Sequence, residues 1–165
     1  MTSFPIIRVI SKLLIPYILL FGLYVQFHGD FGPGGGFQAG VIFASAIILY
    51  ALVFGLSAAK EVAPPWFIEK LMAAGVLIYG GTGVVTMLLG GAFLDYDVLE
   101  HHLPGHVIPS GQHLGIFLVE LGVGVTVTAV MIMIFYTFAS RARSADVLPN
   151  GSAANADNPE TPRDV

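Results

Sequence analysis

The chain has 165 residues, 55% of them hydrophobic and 11% charged, with a formal net charge of −4 and a mean hydropathy of +0.79. Soluble domains carry roughly 25% charged residues, so a water-soluble globule is excluded and lipid is the expected solvent. The basic residues neither cluster nor interleave with aromatics, which argues against nucleic-acid binding, and a chain without cysteine has no disulfides or thiolate metal sites.

A bilayer crossing takes about 20 apolar residues. Cutting the apolar runs at glycine, proline and charge predicts four such spans. The first runs from Ile6 to Phe27, with Arg8 and Lys12 near enough to its start to snorkel into headgroups and Pro16 predicting a kink. It is too long for a removable signal peptide and leads directly into further apolar runs. The second runs from Gly36 to Leu56, the third from Phe67 to Leu89 behind the helix-start signal Pro64-Pro65-Trp66, and the fourth from Leu114 to Phe138, ending at Arg141 and Arg143. The expected architecture is all-α: a four-helix transmembrane domain over 1–143 and a disordered cytoplasmic tail over 144–165. The tail is rich in Ala, Asn, Pro and Asp and lacks apolar periodicity.

Basic residues flank the start of span one, the connection between spans two and three, and the end of span four. The connections 28–35 and 90–113 contain no Lys or Arg. Charge bias and an even number of crossings therefore both predict cytoplasmic termini and two outward-facing connections.

The polar crossing His28-Gly29-Asp30-Phe31-Gly32-Pro33-Gly34-Gly35-Gly36-Phe37-Gln38-Ala39-Gly40 separates spans one and two. Proline and successive glycines cannot continue a regular helix, so a tight re-entry turn packed on other protein is expected, with a new helix from about Gly36. A phosphate-loop reading fails because no Lys or Arg lies near 32–40, and phenylalanine occupies the last glycine position of a dinucleotide fingerprint.

Glu120 is the acidic residue well inside a predicted span, about 9 Å in from the end of span four at 1.5 Å per residue. An ionisable group at that depth is costly and faces protein or water. Two readings stand: a proton or cation relay, or an acid hydrogen-bonded to a neighbouring helix to fix assembly. Glu120, Gly124 and Thr128 form one helical stripe, and Gly36, Gly40 and Ala44 another; such small-residue stripes predict close helix packing. Gly75, Gly80, Gly81 and Gly83, with Thr82 and Thr86, suggest crowded contacts for span three. In the second outer connection, His101, His102, His106 and His113 accompany Asp95, Asp97 and Glu100. Pro104-Gly105 breaks the helix that would pair His102 with His106 on a metal, so a solvated, cation-attracting vestibule is the preferred reading and no bound cofactor is expected.

The segment H-G-D-F-G-P-G-G-G-F over 28–37, followed by Gln38-Ala39-Gly40 and an Ala/Ile-rich helix, resembles the hallmark of the MnhB/MrpB family, small subunits of multisubunit Mrp-type Na+/H+ antiporters. Leu114 to Val123 resembles the last membrane helix of that family, and the similarity covers about residues 5–140. The family motif falls on His28, Pro33, Gly34, Gly35, Gly36 and Phe37. The resemblance implies a subunit without activity of its own in a bacterial plasma-membrane complex. Its partners would be the other antiporter subunits, including the large antiporter-like ones, and membrane lipid, and Na+ and H+ would be the transported ions. It also implies a contribution to assembly and to the translocation route. Competing functions are a purely structural scaffold and a subunit of a complex-I-like membrane-bound hydrogenase.

Overall fold

The computed structural model describes residues 5–29, 34–96, 98 and 111–147, and side chains of the last helix as far as 142. Regular structure among these residues is entirely helical: α1 (Pro5–His28), α2 (Gly36–Phe54), α3 (Leu56–Val62), α4 (Pro65–Leu88) and α5 (Gly111–Val147). All but the short α3 are long and apolar enough to cross a membrane.

Local chemistry explains most of the boundaries. Gly35, at φ 117°, leads into α2 at Gly36, and Gly55, at φ 97°, separates α2 from α3. Neither backbone suits a residue with a Cβ. Pro65 stands in the first turn of α4, where a missing N–H costs nothing, behind an extended Pro64. α1 remains helical through Pro16.

Two expectations change. The connection between spans two and three contains the short helix α3, which the composition did not announce. The last helix is also longer than its apolar run and continues through Val147, past Arg143 and into the segment expected to be tail. Its residues of length 37 span about 55 Å at 1.5 Å each, well beyond a hydrocarbon core of about 30 Å. Helix propagation needs only the next backbone hydrogen bond, so Ala and Arg carry it on where hydrophobicity has stopped. The rest of the expected tail, from 148, lies outside the described residues.

α5 is the central rod, packed along α4 and α2; α1 packs along α2 and meets α5 far less. The buried core is built from small side chains, Ala44, Ala51, Ala59, Ala63 and Ala129, with Ile68, Ile132 and Tyr136 among them. In lipid there is no hydrophobic gain from joining helices, so close van der Waals approach and hydrogen bonds hold them together. Tyr136 supplies one such tie, its hydroxyl 3.0 Å from the carbonyl of Ala59 and 3.1 Å from that of Ala63, which fixes the end of α3 to α5.

The basic side chains gather at one end. Arg8 and Lys12 of α1 both lie 5.7 Å from the ring centre of Phe54 at the end of α2. Lys60 of α3 donates to Ser140 Oγ at 3.2 Å near the end of α5, and Lys70 lies 4.9 Å over Trp66 at the start of α4. The glycine turn and the segment after α4 occupy the opposite end, as the antiparallel succession of helices requires.

Candidate functional site

The site is where the two small-residue stripes meet. Gly36 and Gly40 of α2 face Glu120, Gly124 and Thr128 of α5 at near backbone contact. A Cβ on Gly36 would lie 2.8 Å from the carbonyl carbon of Glu120 and 3.0 Å from the nitrogen of Gly124. One on Gly40 would lie 2.7 Å from the oxygen of Gly124. Thr128 Oγ1 is 2.7 Å from the carbonyl oxygen of Gly124 and 3.1 Å from that of Gly40, so its single proton is shared between its own helix and α2. Ala44, the third member of the α2 stripe, is buried in the core.

This contact places the Glu120 carboxyl in the glycine turn. A Cβ on Gly35 would be 2.7 Å from Glu120 Oε1, and one on Gly29 would be 2.8 Å from the same oxygen and would collide with Oε2. Gly29 and Gly35 thus leave the volume that the carboxyl fills, while Gly36 lets the backbone of α5 reach the same point. Two features that look unrelated along the chain form one structure.

Other motif residues lie around it. The His28 ring stacks on Tyr24, centroids 5.3 Å apart. Gly34 lies against Val25 and the side chain of Gln38. Phe37 points away from the bundle and is exposed. Pro33, with residues 30–32, lies outside the described residues.

Gln26 belongs to this region although its side chain was not singled out among the site residues. Only 5% exposed, it packs its Oε1 against Gly124, where a Cβ would come within 2.6 Å. The signal was present, since Gln26 is the one amide side chain inside α1.

The remaining candidates divide. In α4, Gly75 meets Gly122 and Thr126 of α5, and Gly83 lies under the ring of Phe93, as crowding predicts. Gly80 and Gly81 face open space, contrary to that expectation, because they occupy faces of α4 turned away from α5. Thr82 donates to the Tyr79 carbonyl of its own helix, whereas buried Thr86 accepts from the Leu94 N–H at 3.0 Å and holds the following segment. His113 is exposed near the start of α5. His101, His102, His106, Asp97 and Glu100, on which the vestibule expectation rests, lie outside the described residues.

The geometry is that of a helix-packing joint with one carboxyl built into it, and comparison with known proteins says what kind of protein carries it. Residues 6–133 match the family model described as a domain related to the MnhB subunit of Na+/H+ antiporter. The chain belongs to the MnhB family. It is 38% identical over 126 residues to a protein of Staphylococcus haemolyticus named "Putative antiporter subunit mnhB2", covering 73% of this chain and 89% of that one. Its counterpart in Staphylococcus epidermidis shows the same identity and coverage. The Staphylococcus aureus protein of the same name is 38% identical over 119 residues, covering 72% of this chain and 82% of its own length. With four helices among the described residues long and apolar enough to cross a membrane, this MnhB-family chain is a multi-pass bacterial plasma-membrane protein and an antiporter subunit.

Proposed function

We propose that this subunit completes part of the ion route of a Na+/H+ antiporter at the end of the bundle carrying the glycine turn, with Glu120 as a protonatable station. The observation that carries this reading is the packing of the Glu120 carboxyl against Gly29 and Gly35. A carboxyl is costly in the membrane, and here the backbone of the turn is shaped around it. Its charge state then bears directly on how the turn packs: ionisation calls for polar neighbours, and protonation relaxes that demand.

One carboxyl does not make a complete path, so the chain acts within an assembly and has no exchange activity alone. The other subunits supply the remaining groups, with Na+ and H+ as cargo. The basic end of the bundle faces the cytoplasm and the turn faces outward. The names borne by the relatives favour the antiporter over a hydrogenase.

Glu120→Gln in the intact complex tests the proposal. It keeps the shape of the side chain and removes its titration. Slower Na+/H+ exchange with a shifted pH profile, at normal subunit content, is the expected result. Unchanged exchange and an unchanged profile would end the relay reading. A complex that fails to assemble would favour the scaffold reading, to which the close α2–α5 joint gives independent support.

A further inference from the structure

The buried amide of Gln26 stands where three helices meet. Its Oε1 is 2.6 Å from the point a Cβ would take on Gly124, and the carbonyl oxygen of Gly36 is 3.1 Å from the same point. Its Nε2 is buried and has no hydrogen-bond partner among the described residues. An amide donor sealed from solvent and left unmet is costly, and a native structure that keeps one calls for a reason. Because no water reaches it, the acceptor it lacks must come from the protein.

The register of the helices says which acceptor is near. α1 and α5 run antiparallel here, with Gln26 opposite Gly124 and Gly29 opposite the Glu120 carboxyl. The amide is therefore one turn inward of the carboxyl on both helices, about 4.5 Å along α1 and about 6 Å along α5 at 1.5 Å per residue. Gln26 also borders a cavity of about 370 Å³ whose other side chains are apolar except for Thr128. That space lets a long, unbranched side chain change rotamer. Thr128 Oγ1, one turn inward of Gly124, is the neutral competitor, its own proton shared between the carbonyls of Gly124 and Gly40. A carboxylate accepts several hydrogen bonds at once, and a bond to a charged oxygen is roughly twice as strong as one to a neutral oxygen. Ionised Glu120 is thus the stronger acceptor. Among the described residues, the other titratable groups nearby on α1 are Tyr24 and His28, which stack on each other at its exposed face. α2 carries only Tyr50, and α5 has His113 two turns outward.

We propose that Gln26 is a positioning residue for Glu120: its amide rests over Gly124 while the carboxyl is protonated, and turns outward to donate from Nε2 when the carboxyl is ionised. The inference rests on the reading of Glu120 as a protonatable station and adds the group that holds its charged form. Each proton taken or released by Glu120 then alters the contact of α1 with α5.

The test measures Na+/H+ exchange by the intact complex in liposomes, per assembled subunit. Gln26→Met keeps the length of the side chain and loses the donor. In the parent it should slow exchange about tenfold, the worth of one hydrogen bond to a charged group. In a Glu120→Gln background, where residue 120 never carries charge, it should add no further slowing. Gln26→Asn, an amide on a shorter stem, should lose less than Gln26→Met in the parent, and it carries the comparison if the Met variant assembles poorly. Equal slowing in both backgrounds would mean that the amide only ties α1 to Gly124, Gly36 or Thr128, and would overturn the proposal. Unchanged exchange in both would do the same while leaving Glu120 its role. If Glu120→Gln alone has no effect, the station reading fails and this inference fails with it.

Discussion

Gly36 meets the backbone of Glu120, while Gly29 and Gly35 meet its carboxyl. The oxygen of Glu120 occupies the space a Cβ would take on Gly36, so Gly36→Ala must push α2 from α5. Overpacking of this sort costs about 1–3 kcal/mol, and thermal melting of the complex should show that loss, with less assembled subunit. Gly81 faces open space in mid-helix. There Gly81→Ala should stabilise the subunit by about 0.5–1 kcal/mol through backbone entropy alone, and a lowered melting temperature would mean that a partner helix fills that face. Tyr96 lies outside the spans, its ring packed on Gly115, where a Cβ would come within 2.8 Å of Cε1. Burial raises its phenol pKa above the usual 10.0, with repulsion from Tyr79 adding to the shift. A raised pKa means that the folded state prefers the neutral phenol. This contribution is complete below pH 10.0 and is lost as pH climbs through the folded-state value. Tyr96→Phe, with nothing to titrate, should keep more of its melting temperature at alkaline pH than the parent.

Among the elements, α5 organises the rest, and its two sides do different work. One side takes the glycine stripe of α2 and the carboxyl in the turn; another takes Gly75 of α4, whose Cβ would lie 2.8 Å from the carbonyl oxygen of Gly122. The short α3 depends on α5 in another way. The Ala59 carbonyl already accepts from the Ala63 N–H, and the Tyr136 hydroxyl adds a bond to it and reaches the carbonyl of Ala63, just past the helix end. Tyr136→Phe should therefore cost about 1 kcal/mol, the net value of a hydrogen bond whose removal leaves a buried acceptor unmet. Faster proteolysis between Gly55 and Pro64, with the transmembrane helices still protected, is the readout. Stripe spacing marked the packing faces of α2 and α5 in advance, but the α4 joint at Gly75 stood out only as one of several glycines. The short helix was not, because seven residues of mixed composition carry too little periodicity to separate helix from turn.

For the whole molecule, the bundle has a basic end and an end without Lys or Arg, and this asymmetry sets its expected orientation. Single cysteines placed at Ser57 and at Phe37 should be labelled by a membrane-impermeant reagent from opposite sides, Ser57 from the cytoplasm and Phe37 from outside. Labelling of both from one side would reverse the reading of the site as an outward-facing part of the ion route. Much of the apolar surface remains exposed, including Ile6, Leu13, Leu20, Leu77 and Leu88, as suits a subunit whose neighbours are lipid and other membrane helices.

The sequence alone determined what depends on neighbours along the chain: four apolar runs of membrane-spanning length, a helix beginning at Gly36, another entered at Pro65, and the stripes that would be packing faces. These follow from backbone chemistry and a fixed helical period, which operate within a few residues. Only the tertiary structure decided that the α2 and α5 stripes face one another, that Gly29 and Gly35 make room for Glu120, that Gly80 and Gly81 face away, and that Gln26 lies buried beside a cavity. Those outcomes depend on how each helix is rotated and where it crosses the next. Helices that are apolar nearly all round leave that rotation unspecified until backbone-to-backbone contact selects it.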